Sequence, residues 1–302
     1  MDQLVAGMDV GGTKTQVMVL RGDVVIANET VATSSWRTWR VEDDARGLAE
    51  FARRVAGAPL QGLAVGAHGC DSDAQCRALQ KALETELGCQ VTVVNDSELL
   101  VPAAGYVSGI GVVSGTGSIA VSRDGEGHML AAGGWGWILG DEGSAAAIVR
   151  EAAKAVRGAI DRNRLDDPLI GSMLAALGTT EVTKLGRLLN EVRGAAEWGR
   201  HANMVFDAAN NGSALARRVI VEGAEALAGL VRILVDRGAN SSIVVAGGTV
   251  FARQELLFDT FRTAVRTFSP QSEVVLLTAD PVVGAAAMAG RVLTGRPVQR
   301  AL

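Results

Sequence analysis

Two glycine-rich turns in this chain carry the residue types that grip phosphate. The first is Asp9-Val10-Gly11-Gly12-Thr13-Lys14-Thr15, and the second is Ser114-Gly115-Thr116-Gly117-Ser118. Glycine admits positive φ and lets an anion come close to backbone N–H groups. Thr13, Lys14 and Thr116 add side-chain donors to the bends made by Gly11, Gly12, Gly115 and Gly117. Asp9 ends an apolar strand, where a carboxylate can hold Mg²⁺ through water, because that ion keeps several of its waters. Two such turns facing one another would hold the β- and γ-phosphates of a nucleotide from both sides. Each alone also reads as a plain hairpin. The second is no Walker A loop, since no lysine follows it and a strand stands where that loop needs a helix. Their matching places suggest a phosphoryl-transfer enzyme made of two related halves.

Four further segments have chemical potential. Asn95-Asp96 follows the strand Val91–Val94, and ligands of open α/β sheets gather at the carboxyl ends of strands. Asp96 there can take the proton of an attacking hydroxyl, or simply cap the next helix. Gly133-Gly134-Trp135-Gly136-Trp137-Ile138-Leu139-Gly140-Asp141-Glu142-Gly143-Ser144 concentrates glycine, tryptophan and acid just before a helix. A tryptophan in such a loop suits the C–H face of a sugar, and Asp141 its hydroxyls. The plainer readings are core packing for one of Trp135 and Trp137, and first-turn helix charge for Asp141-Glu142. Ala246-Gly247-Gly248-Thr249 follows a buried strand and suits a nucleotide, with Thr249 also readable as a helix cap. Thr33-Ser34-Ser35-Trp36-Arg37 is a polar cluster near the cleft mouth that could touch substrate, with a plain loop the simpler reading. His68 lies in a glycine-rich loop after a strand, and none of His68, His128 and His201 has metal-ligand spacing.

The elements that must position these residues repeat. Leu4–Met8, Thr15–Leu20 and Val24–Val31 read as a three-stranded meander, and the stretch after Gly109 reads the same way. Each meander leads into alternating helix and strand. Helices are expected over 42–56, 74–87, 144–160, 214–237, 252–268 and 281–293, with an added helical stretch at about 162–210. The halves divide as 1–108 and 109–302, and the final helix, about 281–302, packs back on the first. The 302 residues, 48% hydrophobic and 21% charged, describe a globular chain of two domains. A net charge of −4 with no basic run argues against nucleic acid. Three cysteines without a CxxC pair argue against a disulfide frame, a zinc ribbon or a four-cysteine cluster. No secretory signal and no membrane-length apolar run is visible, so a cytoplasmic protein is expected.

In this order, Asp9–Thr15, Asn95-Asp96, Ser114–Ser118, Gly133–Ser144 and Ala246–Thr249 resemble the N-acetylglucosamine kinase group of the BadF/BadG/BcrA/BcrD ATPase family. Gly-Gly-Trp-Gly-x-x-x-Gly-Asp-Glu-Gly-Ser is the most specific mark, and 133–144 reproduces it. The resemblance implies an α/β fold of two actin-like, ribonuclease-H-like domains around a central cleft. It implies ATP- and Mg²⁺-dependent phosphorylation of an amino sugar at its 6-hydroxyl. Residue by residue, it makes Asp96 the catalytic base, Thr13 and Thr116 nucleotide contacts, and Gly134, Trp135 and Asp141 sugar contacts. Gly247 and Gly248 fall in the adenosine loop. Where mammalian members carry Asn-His, this chain has Ser34-Ser35, which keeps glucosamine or another hexose beside N-acetylglucosamine as acceptor. A competing class is an actin-like ATPase that switches a partner without phosphorylating a sugar. The assembly is open, and a homodimer is compatible with it.

Overall fold

The computed structural model describes residues 3–294. Two five-stranded mixed sheets, one per half of the sequence, form its centre. In the first, β1 (Leu4–Val10), β2 (Lys14–Arg21) and β3 (Val24–Ala32) form an antiparallel meander. After α1 (Val41–Ala56), β4 (Gly62–Ala67) pairs parallel with β1, and after α2 (Asp73–Leu87), β5 (Gln90–Val94) pairs parallel with β4. The order is β3-β2-β1-β4-β5. A 3-10 turn (Asp96–Leu99) and the short α3 (Leu100–Ala103) lead to the second half.

There the pattern recurs. β6 (Ile110–Ser114), β7 (Ser118–Arg123) and β8 (Met129–Gly133) form the meander, and α4 (Ala145–Ile160) follows. Four short helices come next: α5 (Pro168–Ala176), α6 (Leu185–Glu191), α7 (Gly194–Gly199) and α8 (Ala202–Asn210). The long α9 (Ala214–Asp236) leads to β9 (Ile243–Gly247), parallel to β6. α10 (Thr249–Arg253), α11 (Glu255–Phe268), β10 (Glu273–Leu276) and α12 (Pro281–Thr294) complete the described chain. The strand order β10-β9-β6-β7-β8 repeats that of the first sheet element for element.

Local chemistry explains the boundaries. Ser72, Ser144 and Ser213 cap α2, α4 and α9, each accepting the backbone N–H three residues on. Asp167 caps α5 ahead of Pro168, and its carboxylate also takes the Ser213 hydroxyl at 2.5 Å. Gly57 and Gly88 end α1 and α2 in the left-handed conformation. The stretch expected as one helix over 252–268 is two, α10 and α11, parted at Gln254, whose non-helical backbone (φ −124°, ψ 88°) breaks the ladder.

Each half has its own apolar core. Met8, Val17, Leu48, Leu63 and Leu83 fill the first. Ile110, Ile148, Ile220, Leu227 and Phe261 lie in the larger second. The chain's last described helix belongs spatially to the first half. α12 packs across β1 and β4, and Ala289 is buried with Val5 and Ala64, Val282 with Met18. The approach is so close that a Cβ at Gly7 would overlap the Ala286 backbone. Residues 295–302 of the expected final helix lie outside the described residues.

Candidate active site

The parallel strands of the first sheet end together, and their ends carry one cluster. Asp9 lies near the end of β1, opposite Gly66 on β4. The chain after β4 stays beside it, because the His68 N–H bonds the Val10 carbonyl at 2.8 Å. After β5 come Asn95 and Asp96. Asn95, not Asp96, caps the 3-10 turn. Its Oδ1 accepts from Ser97 N at 3.0 Å, and the Glu98 carboxylate closes a capping box on Asn95 N at 3.1 Å. The Asn95 amide also donates to Asp71 Oδ1 (3.1 Å) and the Cys70 carbonyl (3.2 Å), tying the β4 and β5 loops. Asp96 is thereby left at the first position of the turn. Its Oδ1 accepts from Ser97 N at 3.0 Å, and its Oδ2 faces His68 Nδ1 at 3.6 Å. The carboxylate is about a quarter exposed, open to a ligand.

Electrostatics mark this cluster as unusual. Burial pushes the Asp9 carboxyl up to about 7, with Asp96 and Asp280 adding to the rise and Lys14 opposing it. His68 is also raised, chiefly by its hydrogen bond to Asp96. Asp280, just before α12, accepts from Gln16 Nε2 at 3.4 Å, so the second half brings a third carboxylate toward Asp9. Among the described residues no three His, Cys, Asp or Glu side chains are grouped to hold a metal unaided. A desolvated carboxylate faced by one exposed lysine fits a cation whose other ligands are phosphate oxygens and water.

The first glycine turn is braced from below. Thr33 Oγ1 donates to the Gly11 carbonyl at 2.8 Å, and Thr33 N to the Thr13 carbonyl at 3.0 Å. Thr15 Oγ1 lies 3.0 Å from Thr33 Oγ1 and receives Trp36 Nε1 at 3.2 Å. Gly12, Thr13 and Lys14 at the tip remain exposed. Ser34 and Ser35 are exposed beside it, the Ser35 hydroxyl donating to the Ala32 carbonyl at 2.6 Å. Arg37 joins this loop to the next, donating to the His68 carbonyl at 2.9 Å, pairing with Asp44 at 3.4 Å and stacking over Trp39.

The second glycine turn gathers a second cluster. Ser114 Oγ donates to the Gly143 carbonyl (2.8 Å), and Ser118 Oγ to that of Glu142 (2.9 Å). Gly134 N bonds the Ser118 carbonyl, and Ala145 N that of Gly115, both at 2.9 Å. Gly247, ending β9, pairs with Val113 at the foot of the same turn. So Gly115–Gly117, the loop 133–144 and Gly247-Gly248 meet. The Asp96 turn packs against β6 and β7 as well as β1 and β4, which sets it at the seam of the two clusters.

Several expectations change here. Asp141 and Glu142 precede α4 and supply no first-turn charge, because Ser144 is its cap and the first turn holds no acid. Asp141 is instead buried, at φ 56°, with its carboxylate taking the Ser118 and Gly136 N–H groups. It fills the space a side chain at Gly117 would need, and its Oδ1 is buried without a partner. Burial raises its carboxyl. Trp135 is 76% exposed, whereas Trp137 packs on Trp198 of α7 at 5.1 Å. Thr249 opens α10, and Gly248 occupies the cap position. Asp280 was not singled out in the sequence, and Arg37 was named only as the end of the polar loop 33–37. Asp280 carries no motif, and only the return of α12 brings it here.

The sequence profile of the BadF/BadG/BcrA/BcrD ATPase family matches residues 6–289. An N-acetylmuramic acid/N-acetylglucosamine kinase of Clostridium acetobutylicum is 28% identical, over 94% of this chain and 97% of its own. An N-acetyl-D-glucosamine kinase of Dictyostelium discoideum is 25% identical, over 95% and 98%. Among solved structures, a candidate N-acetylglucosamine kinase of Chromobacterium violaceum aligns over 94% of this chain and 98% of its own (TM-score 0.69, 22% identity). A ROK family glucokinase of Streptomyces griseus, solved with glucose and AMPPNP, aligns over 95% and 99% (TM-score 0.58, 21% identity). These two likenesses show that the chain shares the α/β, actin-like fold of those proteins.

Proposed function

The chain belongs to the BadF/BadG/BcrA/BcrD ATPase family, and from that premise we propose that it is an ATP-dependent kinase phosphorylating the 6-hydroxyl of an amino sugar, N-acetylglucosamine foremost. Both relatives named above carry that sugar in their names. The observation that carries the reading is Asp96: a partly exposed carboxylate on a fixed turn, at the seam between two glycine turns with phosphate-binding chemistry.

In this reading Gly11, Gly12, Thr13 and Lys14 hold the terminal phosphates from one side, and Gly115, Thr116 and Gly117 from the other. Gly247 and Gly248 take the adenosine. Gly134, Trp135 and Asp141 receive the sugar, with Ser34 and Ser35 at the mouth. Asp96 accepts the hydroxyl proton as the sugar oxygen attacks the γ-phosphorus, and the bond to the β-bridging oxygen breaks. Asp9 would hold Mg²⁺, which when bound offsets negative charge on the phosphates. Residues 1–108 and 109–302 would form the two domains, the second with a helical insertion at about 162–210.

A coupled ADP-release assay over N-acetylglucosamine, N-acetylmuramic acid, glucosamine, N-acetylmannosamine and glucose tests this. We expect turnover that depends on an amino sugar. A slow ATPase indifferent to every sugar would replace this reading with a partner-switching ATPase. Asp96→Asn should keep its melting temperature and lose about 10²–10⁴-fold in kcat, the usual worth of a general base. Near-full turnover of that variant would remove Asp96 from the role.

A further inference from the structure

Behind the Asp96 turn lies an ion-pair network that joins the two halves. Arg123 ends β7 in the second half. Its guanidinium grips the Glu98 carboxylate with two donors, Nε to Oε2 at 2.6 Å and Nη2 to Oε1 at 3.0 Å. Nη1 donates to Asp73 Oδ1 at 3.1 Å and to the Gly127 carbonyl at 2.7 Å. Asp73, at the start of α2, takes the Met129 N–H of β8 on its other oxygen at 3.1 Å. Glu98 and Asp73 come from the first half; Arg123, Gly127 and Met129 come from the second.

Glu98 is the important partner. Its Oε1, held by Arg123, is also the atom that accepts Asn95 N and closes the capping box. The turn so closed carries Asp96 at its first position. The chain of contact runs Arg123, Glu98, the Asn95 backbone, Asp96, with each link a hydrogen bond or a peptide bond. A planar fork suits this task, because two parallel bonds fix the carboxylate in angle as well as distance. Burial raises the Glu98 carboxyl, and the Arg123 guanidinium works against that rise.

We propose that Arg123 is a positioning residue for phosphoryl transfer: by clamping Glu98 from across the domain seam, it aims the Asp96 carboxylate only while the two halves hold this relation. The proposal rests on the kinase reading given above. It differs from a plain stabilising salt bridge in where its loss is felt. Removing a stabilising pair lowers the melting temperature and leaves the surviving enzyme normal. Loss of aim lowers kcat while ground-state binding persists.

The test is steady-state kinetics with melting temperatures for Arg123→Met, Arg123→Lys, Glu98→Gln and the double variant Glu98→Gln/Arg123→Met. For Arg123→Met we expect kcat down about 10–100-fold, the cost of a small misplacement of a reacting group. KM for sugar and ATP should stay within about threefold, as expected when only transition-state interactions are lost. Arg123→Lys should recover part of the loss. The double variant should be no slower than the slower single one, because both cut the same path. If Arg123→Met fails to fold, Glu98→Gln and Arg123→Lys carry the same kcat-against-KM comparison. Unchanged kcat in the folded variants, or losses that multiply in the double variant, would overturn the proposal. A wild-type protein that phosphorylates no sugar would instead overturn the kinase reading.

Discussion

Asp9 and His68 show how much a few ångströms of burial or contact change a side chain. The Asp9 carboxyl, normally near 3.8, is pushed up to about 7, first by burial and then by Asp96. The folded protein therefore holds this proton to higher pH than the unfolded chain does. Stability contributed by the neutral form is lost as pH rises from about 4 to 7. In metal-free protein, Asp9→Asn should be more stable than wild type at pH 8.5, by up to about 4 kcal/mol. The gap should close by pH 4, as read from denaturant melts at the two values. His68 has the same sign from a different cause: its raised pKa reflects a partner for the charged form. Its contribution is full below about 6.5 and fades as pH rises through the folded value. It is half-exposed, so His68→Asn should lower stability at pH 5.5 by only a few tenths of a kcal/mol and leave it unchanged at pH 9. A larger loss at pH 9 than at pH 5.5 would reverse that assignment. At this scale the sequence was a partial guide. Asp9, Asp96 and both glycine turns stood out because residue type and strand-end position coincide. Asp280 and the Glu98–Arg123 pair did not, since each acquires its role from a partner distant in the chain.

The elements were easier to read than the contacts between them. Apolar strands punctuated by glycine and helices started by serine or ended by glycine are local signals, and among the described residues the ten strands and most helices fall within a residue or two of them. The break at Gln254 and the burial of Asp141 are not local. The first reflects one non-helical residue between two docked helices, the second the packing of one loop against another. Gly7 is the sharpest element-scale test. β1 is central, buried on both faces, and α12 crosses it where no side chain fits. Gly7→Ala should cost about 3 kcal/mol or more, by overpacking that neither backbone can relieve. A melting temperature within a degree of wild type would mean that α12 can ride outward freely.

Seen whole, the molecule is two copies of one topology with separate cores, joined by the Asp96 turn, α3, α12 and the Arg123 network. The repeat was visible in the two meanders and their turns. α12 returns to the first sheet, and its packing explains why the first half is incomplete without it. Val5, Ala64 and Met18 would be uncovered in a fragment ending at residue 108. That fragment should bind a hydrophobic dye and exchange its amide protons quickly. Adding residues 281–294 through a flexible glycine–serine linker should suppress both behaviours. A fragment 1–108 that gives slow exchange across β1 and β4 would show that α12 is an ornament to the first half.

That tie between the chain's two ends bears on how the protein is made. A ribosome that has finished the first sheet must still translate roughly 190 residues before α12 emerges, about 10–40 seconds at ordinary elongation rates. Throughout that interval the nascent first half carries a greasy, unroofed flank, and chaperone traffic on the polysome should concentrate there.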